Sequence, residues 1–316
     1  MTPPDTHSAG SEPEALEDPR DTLVTEFDRQ SDAAGVTISV LTVLRGPEPG
    51  REYSLEGPTH IIGRDLEAQV SVADPGLSRH HARISRTAHG DYLRDLESTN
   101  GTLVNGEKIE TVHVLEEGDR IQLGRSTVLR YSRRDRLEQR AAEELYERSV
   151  RDPLTHLYNR RYLDDRLPSE LAYAKRHGEH LTVLLLDLDH FKRINDRFGH
   201  QRGDQVLREV ARRLQQTVRL EDVVARYGGE EFAIVALGID ELGARTFAER
   251  LRGTIGGAPI EDEHGALEVT VSIGLADSVV TGETKARALF AAADAALYEA
   301  KRKGRNRVEV AHGPER

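Results

Sequence analysis

The sequence predicts a multidomain chain: an all-β sandwich followed by an α/β (α+β) domain, behind an acidic N-terminal arm. Three observations predict this. A length of 316 residues suits about two domains of roughly 150 residues, each large enough to bury its own core. Residues 36–131 are short β-prone runs punctuated by Gly, Pro, Asn and Asp, with no room for a long amphipathic helix. After Asp152, strand-like apolar runs alternate with helical patterns.

In chain order, residues 1–34 hold nine carboxylates against two arginines, much of the net charge of −11. They have too few large apolar groups to fold alone and read as a disordered acidic tail. Within it Thr22 and Thr25 stand out among acids and apolar residues. Domain one, residues 35–131, has expected strands at 37–44, 60–63, 81–85, 92–96, 120–123 and 127–131. Residues 132–151 turn Arg/Glu/Ala-rich with Leu137, Ala141 and Leu145 at helical spacing, which predicts a connecting helix. Domain two, residues 152–311, has expected strands at 181–188, 223–227, 232–237, 267–275 and 306–310, and expected helices at 204–219, 240–255 and 284–303. Residues 312–316 are a short C-terminal tail. The pair Gly228-Gly229 between two β-prone stretches predicts a two-residue hairpin, with Glu230 and Glu231 just past its tip.

Composition narrows the function. No apolar run approaches about 18 residues and the start is not a charged-then-apolar leader, so neither a membrane span nor a signal peptide is expected. A soluble, cytoplasmic protein follows. With no cysteine, any metal must take oxygen or imidazole ligands, and carboxylate-rich sites favour Mg2+ or Mn2+. An acidic chain without a long basic stripe is a poor nucleic-acid binder, whereas local sites for nucleotide or phosphopeptide suit it.

The loops of domain one contain Gly63-Arg64, Leu77-Ser78-Arg79-His80-His81-Ala82, Ser98-Thr99-Asn100-Gly101-Thr102 and Val104-Asn105-Gly106. In this order and spacing they resemble the forkhead-associated (FHA) family over roughly residues 36–131, a β-sandwich whose loops bind phosphothreonine in a partner protein. A phosphate dianion needs charge-assisted donors, which arginine forks, hydroxyls and loop N–H groups supply. The resemblance implies Arg64, Ser78, Arg79, Thr99 and Asn100 as phosphopeptide contacts. His81 reads as a brace for the Ser-Arg loop, and Asn105-Gly106 as a turn. If a Ser/Thr kinase modified Thr22 or Thr25, the arm would be a candidate ligand for the chain's own loops or a neighbour's.

Domain two runs through Asp152-Pro153-Leu154-Thr155, then Asp187-Leu188-Asp189-His190-Phe191-Lys192 with Asn195, then Gly203-Asp204, then Arg226-Tyr227-Gly228-Gly229-Glu230-Glu231-Phe232, and closes with Lys301-Arg302-Lys303-Gly304-Arg305-Asn306. These motifs resemble the GGDEF family of diguanylate cyclases across residues 150–310, in the GGEEF variant, with a central mainly antiparallel sheet flanked by helices. The resemblance implies metal ligation by Asp187, the Leu188 carbonyl and Glu230, with Glu231 as a further acidic ligand or catalytic assistant, around two Mg2+ ions per site. Lys192, Lys301 and Arg305 are implied as triphosphate cations. Asn195 and Asp204 are implied as guanine contacts, because a carboxylate accepts from guanine N1–H and its amino group. The implied reaction joins two GTP into cyclic di-GMP and pyrophosphate, each domain holding one GTP, so the enzyme works as a homodimer. Arg219-x-x-Asp222 matches the family's product-inhibition site, with a helix-end salt bridge as the alternative.

A different class of reading makes the chain a phosphothreonine-dependent adaptor that only receives cyclic di-GMP through Arg219 and Asp222. A polymerase-like module lacks a basic groove and template-stacking aromatics.

Overall fold

The computed structural model of the chain describes residues 37–74, 76–261 and 265–313. Thr22 and Thr25 lie outside them. The first domain is built from β1 (Thr37–Arg45), β2 (Glu52–Leu55), β3 (Thr59–Gly63), β4 (Val70–Ser71), β5 (Ala82–Thr87), β6 (Gly90–Asp95), β7 (Thr102–Val104), β8 (Glu107–Lys108), β9 (Val112–Val114), β10 (Arg120–Leu123) and β11 (Thr127–Asp135). They form two sheets ordered β2-β1-β11-β10-β7-β8 and β4-β3-β5-β6-β9. Period-two alternation turns Ile84 from β5, Leu93 from β6 and Ile121 from β10 inward, and these meet Leu41, Ile62 and Leu129 in one core. Asn105 at φ 54° and Gly106 at φ 91° form the left-handed pair that a tight β7–β8 hairpin needs.

The connecting helix starts later than expected. Residues Ser132 to Asp135 continue β11, paired with Val40 back to Thr37 on β1, so α1 spans Arg136–Val150. Asp135 caps it by accepting from Leu137 N–H at 2.7 Å. The helix lies against the sandwich, burying Gln139 and turning the Tyr146 ring to Gly50.

The second domain contains β12 (Tyr158–Asn159), α2 (Arg160–His177), β13 (Leu181–Leu188), α3 (Phe191–Phe198), α4 (His200–Thr217), β14 (Val223–Arg226), β15 (Glu231–Leu237), α5 (Glu241–Gly256), β16 (Val271–Asp277), α6 (Ser278–Thr281), α7 (Ala286–Arg302) and β17 (Val308–Val310). Their sheet runs β12-β14-β15-β13-β16-β17. Its four central strands are antiparallel, and the two outer pairings are parallel. Every residue of β13 is buried, because helices cover both faces of the sheet. Leu184, Leu186 and Leu188 pack with side chains of α3, α4 and α5, whereas Val183 and Leu185 pack with those of α2 and α7. That double burial explains the unbroken apolar run.

Several expectations need correction. The strand expected from residue 267 begins at Val271, and Leu267 makes only an isolated bridge to Ile260. The hairpin is not a two-residue turn: Arg226 pairs with Phe232, leaving Tyr227 to Glu231 between them. Neither Gly228 nor Gly229 has the positive φ that such a turn requires.

Helix α2 also docks the two domains. Tyr162 Oη donates to the buried Glu48 Oε1 at 2.9 Å, and Arg166 Nη2 donates to the Ala73 carbonyl at 2.7 Å. Arg166 is itself buried in an ion pair with buried Glu170 at 2.6 Å.

Candidate active site

The site forms where β13 ends. Asp187 is the last-but-one residue of that strand, opposite Glu231 on β15 and Ser272 on β16. It is mostly buried, and burial raises its carboxyl above the ordinary range, while Lys301 and Arg305 oppose that rise. Lys301 Nζ, from the last turn of α7, lies 2.7 Å from Asp187 Oδ2. Burial, and then the nearby Asp187 charge, raise the Glu230 carboxyl. Two carboxyls both raised by burial, one of them also by the charge of the other, with Lys301 opposing the rise in each, mark a place that a further positive charge would stabilise.

The glycine hairpin is held beside this strand end by its backbone and by a brace. Leu188 N–H donates to the Glu230 carbonyl at 3.3 Å, and Tyr227 and Gly228 N–H both donate to the Glu231 carbonyl, at 2.8 and 3.2 Å. Arg226 reaches Asp152 Oδ1 at 3.1 Å and the Gly229 carbonyl at 2.8 Å. The Arg160 guanidinium lies over the Tyr227 ring, 4.4 Å from its centroid. A Cβ at Gly228 would overlap the tip of the Glu231 side chain at Oε2, so the glycine lets Glu231 lie against the hairpin. Gly229 faces open space, so a ligand would approach its backbone without side-chain hindrance.

Glu231 consequently turns under the hairpin, lining a small cavity with Tyr227, Phe290 and Asp294. Its charge still reaches Glu230. Among the described residues no group of three or more His, Asp or Glu is gathered to hold a metal; Lys301 rests on Asp187, and Glu231 lies against Gly228. The remaining donor set, Asp187 and Glu230 with backbone oxygen, is all hard oxygen and fits Mg2+ or Mn2+ better than a thiophilic metal.

The base-side candidates lie on α3 and α4. Asn195 Oδ1 is buried without a hydrogen-bond partner, pressed against Gly203, where a Cβ would overlap it and crowd the Phe191 ring. The amide oxygen itself fills this notch, an unsatisfied acceptor beside half-buried Asp204. Such an oxygen is costly unless a ligand donor reaches it. Lys192 and Arg305 are exposed.

Arg219-x-x-Asp222 sits apart, between α4 and β14. Asp222 accepts from Arg219 backbone N–H at 2.9 Å, so the described contact is a backbone bond. The Arg219 side chain is exposed, whereas Asp222 Oδ1 is buried and unpartnered. Burial raises the Asp222 carboxyl to about 6.

In the sandwich, Arg64, Arg79, Thr99 and Asn100 are exposed around half-buried Ser78 on neighbouring loops. Thr99 N–H donates to Ser78 Oγ at 3.2 Å, and Asn100 Nδ2 donates to the Gly76 carbonyl at 3.2 Å. Gly63 lets the Ser-Arg loop pass, since a Cβ would overlap the Arg79 carbonyl. His81 is fully buried and braces the loop: Nδ1 accepts from Ser78 N–H at 3.3 Å, and Nε2 donates to the Gly101 carbonyl at 3.1 Å. Burial lowers its basicity, which suits this neutral tautomer.

Sequence reasoning missed the brace of Arg226 on Asp152, the notch glycine Gly203 and the buried Asp189. These residues all stood inside the quoted motifs, and the signal available was an acid directly after the apolar run 181–188 for Asp189.

Comparison with known proteins supports two families. The model described as "Diguanylate cyclase, GGDEF domain" matches residues 149–307, and the FHA domain model matches residues 60–124. Diguanylate cyclase DgcP of Pseudomonas aeruginosa is 43% identical over 169 residues, 54% of this chain and 25% of that protein. The response regulator PleD of Caulobacter vibrioides is 44% identical over 164 residues, 51% of this chain and 36% of its own. The chain thus spans about a quarter to a third of the length of these relatives. Among solved structures, the coiled coil and GGDEF domain of DgcB from Caulobacter crescentus, in complex with c-di-GMP, is 36% identical with a TM-score of 0.52, covering 56% of this chain and 92% of that one.

Proposed function

The chain belongs to the GGDEF family of diguanylate cyclases, and from that premise we propose that it condenses two GTP into cyclic di-GMP and pyrophosphate under control of its FHA domain. The observation that carries the reading is the grouping of Asp187, Glu230 and Lys301 at the end of β13 beside an open glycine. Asp187 and Glu230, with the Leu188 carbonyl, would hold two Mg2+ ions or Mn2+ with Glu231 in support; when bound, these supply the charge that makes a ribose 3′-hydroxyl acidic and offsets charge on the α-phosphate.

The chain's own residues do the rest. Asn195 and Asp204 receive guanine beside Gly203, the unsatisfied Asn195 Oδ1 turning out from the glycine to accept one base donor. Lys192, Lys301 and Arg305 neutralise the triphosphate and stabilise the leaving pyrophosphate. Lys301 must exchange Asp187 for phosphate as the site fills. Gly228 and Gly229 keep the hairpin backbone bare where the nucleotide lies. Since one domain holds one GTP, catalysis requires a homodimer in which two sites face each other.

Arg219 and Asp222 bind cyclic di-GMP as a brake, the unpartnered Asp222 Oδ1 accepting from guanine. Arg64, Ser78, Arg79, Thr99 and Asn100 bind phosphothreonine, from a partner protein or from the chain's own arm at Thr22 or Thr25 after a kinase has acted. Among the described residues no helix is long and apolar enough to cross a membrane, and we place the protein in the cytoplasm. The test incubates the full chain with GTP and Mg2+, with and without a phosphothreonine peptide. Pyrophosphate and a cyclic dinucleotide are expected. Cyclic di-GMP binding with no turnover in either condition would replace this reading by that of a receptor-adaptor.

A further inference from the structure

Asp189 lies two residues beyond Asp187, is 6% exposed, and has no part in the chemistry above. Its carboxylate is fully engaged. Oδ1 accepts from Ser272 Oγ at 2.6 Å. Oδ2 accepts from Thr270 Oγ1 at 2.7 Å and from the Asn306 backbone N–H at 3.0 Å. With three donors on two oxygens, it is poorly placed to serve as a metal ligand itself. The donors come from two separate places: the entry to β16, and the turn that follows α7.

That turn is the unusual part. Gly304, Arg305 and Asn306 have φ of 114°, 65° and 45°, so two successive non-glycine residues sit in the left-handed region, which L-residues adopt only when held there. Arg305 N–H bonds the Ala300 carbonyl at 3.0 Å, closing the end of the helix that carries Lys301. Arg252 Nη1 holds the Asn306 side chain at 2.8 Å. The Asn306 backbone is held by Asp189.

We propose that Asp189 is a positioning residue: it ties the turn after α7 to the end of β13, and so sets Arg305, with the last turn bearing Lys301, toward the triphosphate of the bound nucleotide. This inference rests on the reading of the site as a GTP site. It assigns the second acid of Asp187-Leu188-Asp189 a task different from the first. Asp187 faces the cation directly, whereas Asp189 acts through the backbone of Asn306.

The experiment measures binding of 3′-deoxy-GTP, which lacks the attacking hydroxyl, to the full chain with Mg2+ by calorimetry. Asp189→Ala and Arg305→Ala are each expected to weaken binding about tenfold, and the double variant no further than about tenfold, because both remove the same contact. Asp189→Asn, which keeps one oxygen for Asn306 N–H and offers its amide to Ser272 Oγ, is expected to stay within about threefold of the parent. In turnover, Asp189→Ala is expected to raise KM for GTP more than it lowers kcat. Should Asp189→Ala fail to fold, Asp189→Ser carries the same cycle, since its shorter side chain stops short of Asn306. Multiplicative losses near a hundredfold in the double variant, or unchanged binding in the single one, would overturn the proposal. Failure of the parent protein to bind 3′-deoxy-GTP would instead sink the GTP reading itself.

Discussion

Lys301 Nζ lies 2.7 Å from Asp187 Oδ2, so a cation from α7 already rests on the carboxylate that is proposed to take metal. A partly buried carboxylate left alone would be costly, and the lysine offsets that cost. The same contact makes Lys301 a competitor for any metal at Asp187, until triphosphate draws it away.

Lys301→Met is therefore expected to destabilise the metal-free protein by about 1–3 kcal/mol, the usual cost of stranding a buried polar partner. Saturating Mn2+ should raise its Tm by more than it raises that of the parent, because binding no longer displaces an ion pair. Scanning calorimetry with and without Mn2+ reads both effects. An equal rise in the two proteins would show that Lys301 and metal do not compete.

Glu230→Gln keeps the size of the side chain and removes its charge beside Asp187. Pyrophosphate release should fall by at least about 100-fold, as expected for loss of a ligand to catalytic metal. Conversely, Asp187→Asn should let the Glu230 carboxyl titrate lower than in the parent, since a neighbouring like charge has gone. Carboxyl-resolved NMR titration of the metal-free protein measures that second effect.

Asp222 gives a pH signature. Its folded-state value of about 6 lies above the ordinary 3.8, so between these two values the folded chain binds more protons than the unfolded one. The contribution of Asp222 to stability must then fall as pH rises from about 4 to about 6. Asp222→Asn should remove that slope: its Tm should match the parent near pH 4 and exceed it at pH 7. The same variant should lose cyclic di-GMP binding. Parallel Tm curves across this range would contradict the burial argument.

Gly203→Ala tests the notch on α4. A Cβ would overlap Asn195 Oδ1 and crowd Phe191, so GTP affinity should fall by more than about tenfold while cyclic di-GMP binding at Arg219 and Asp222 is kept. Nucleotide titration of the full chain separates the two. Loss of both ligands together would point to a collapsed α3–α4 pair.

Much of this architecture was legible because its signals are local. Strand β13 announces itself by an apolar run bounded by His180 and Asp189, and both its ends fall where the pattern places them. The late start of α1 was hidden because Ser132 to Asp135 are polar enough for a helix, and only pairing with β1 makes them strand. The hairpin misled for a related reason: Gly-Gly favours a tight turn in isolation, yet here Gly228 makes room for Glu231 and Gly229 faces open space. Asn195, Asp204, Lys301 and Arg305 drew attention only through the motifs they stand in, and of these the structure sets Lys301 on Asp187. The bond from Asp189 to Asn306 spans 117 positions, and nothing in either local run announces its partner.

Tyr162 and Arg166, which grip the sandwich, share α2 with Arg160, which stacks on Tyr227 at the root of the glycine hairpin. One rod thus bears on both the FHA domain and the glycine hairpin. Cutting the chain between its two recognisable domains would leave Arg166 and Glu170 at a raw surface and Glu48 without its phenol. The excised GGDEF half is a different mechanical object from the same residues in the whole chain, and measurements made on it would describe a lever with its fulcrum removed.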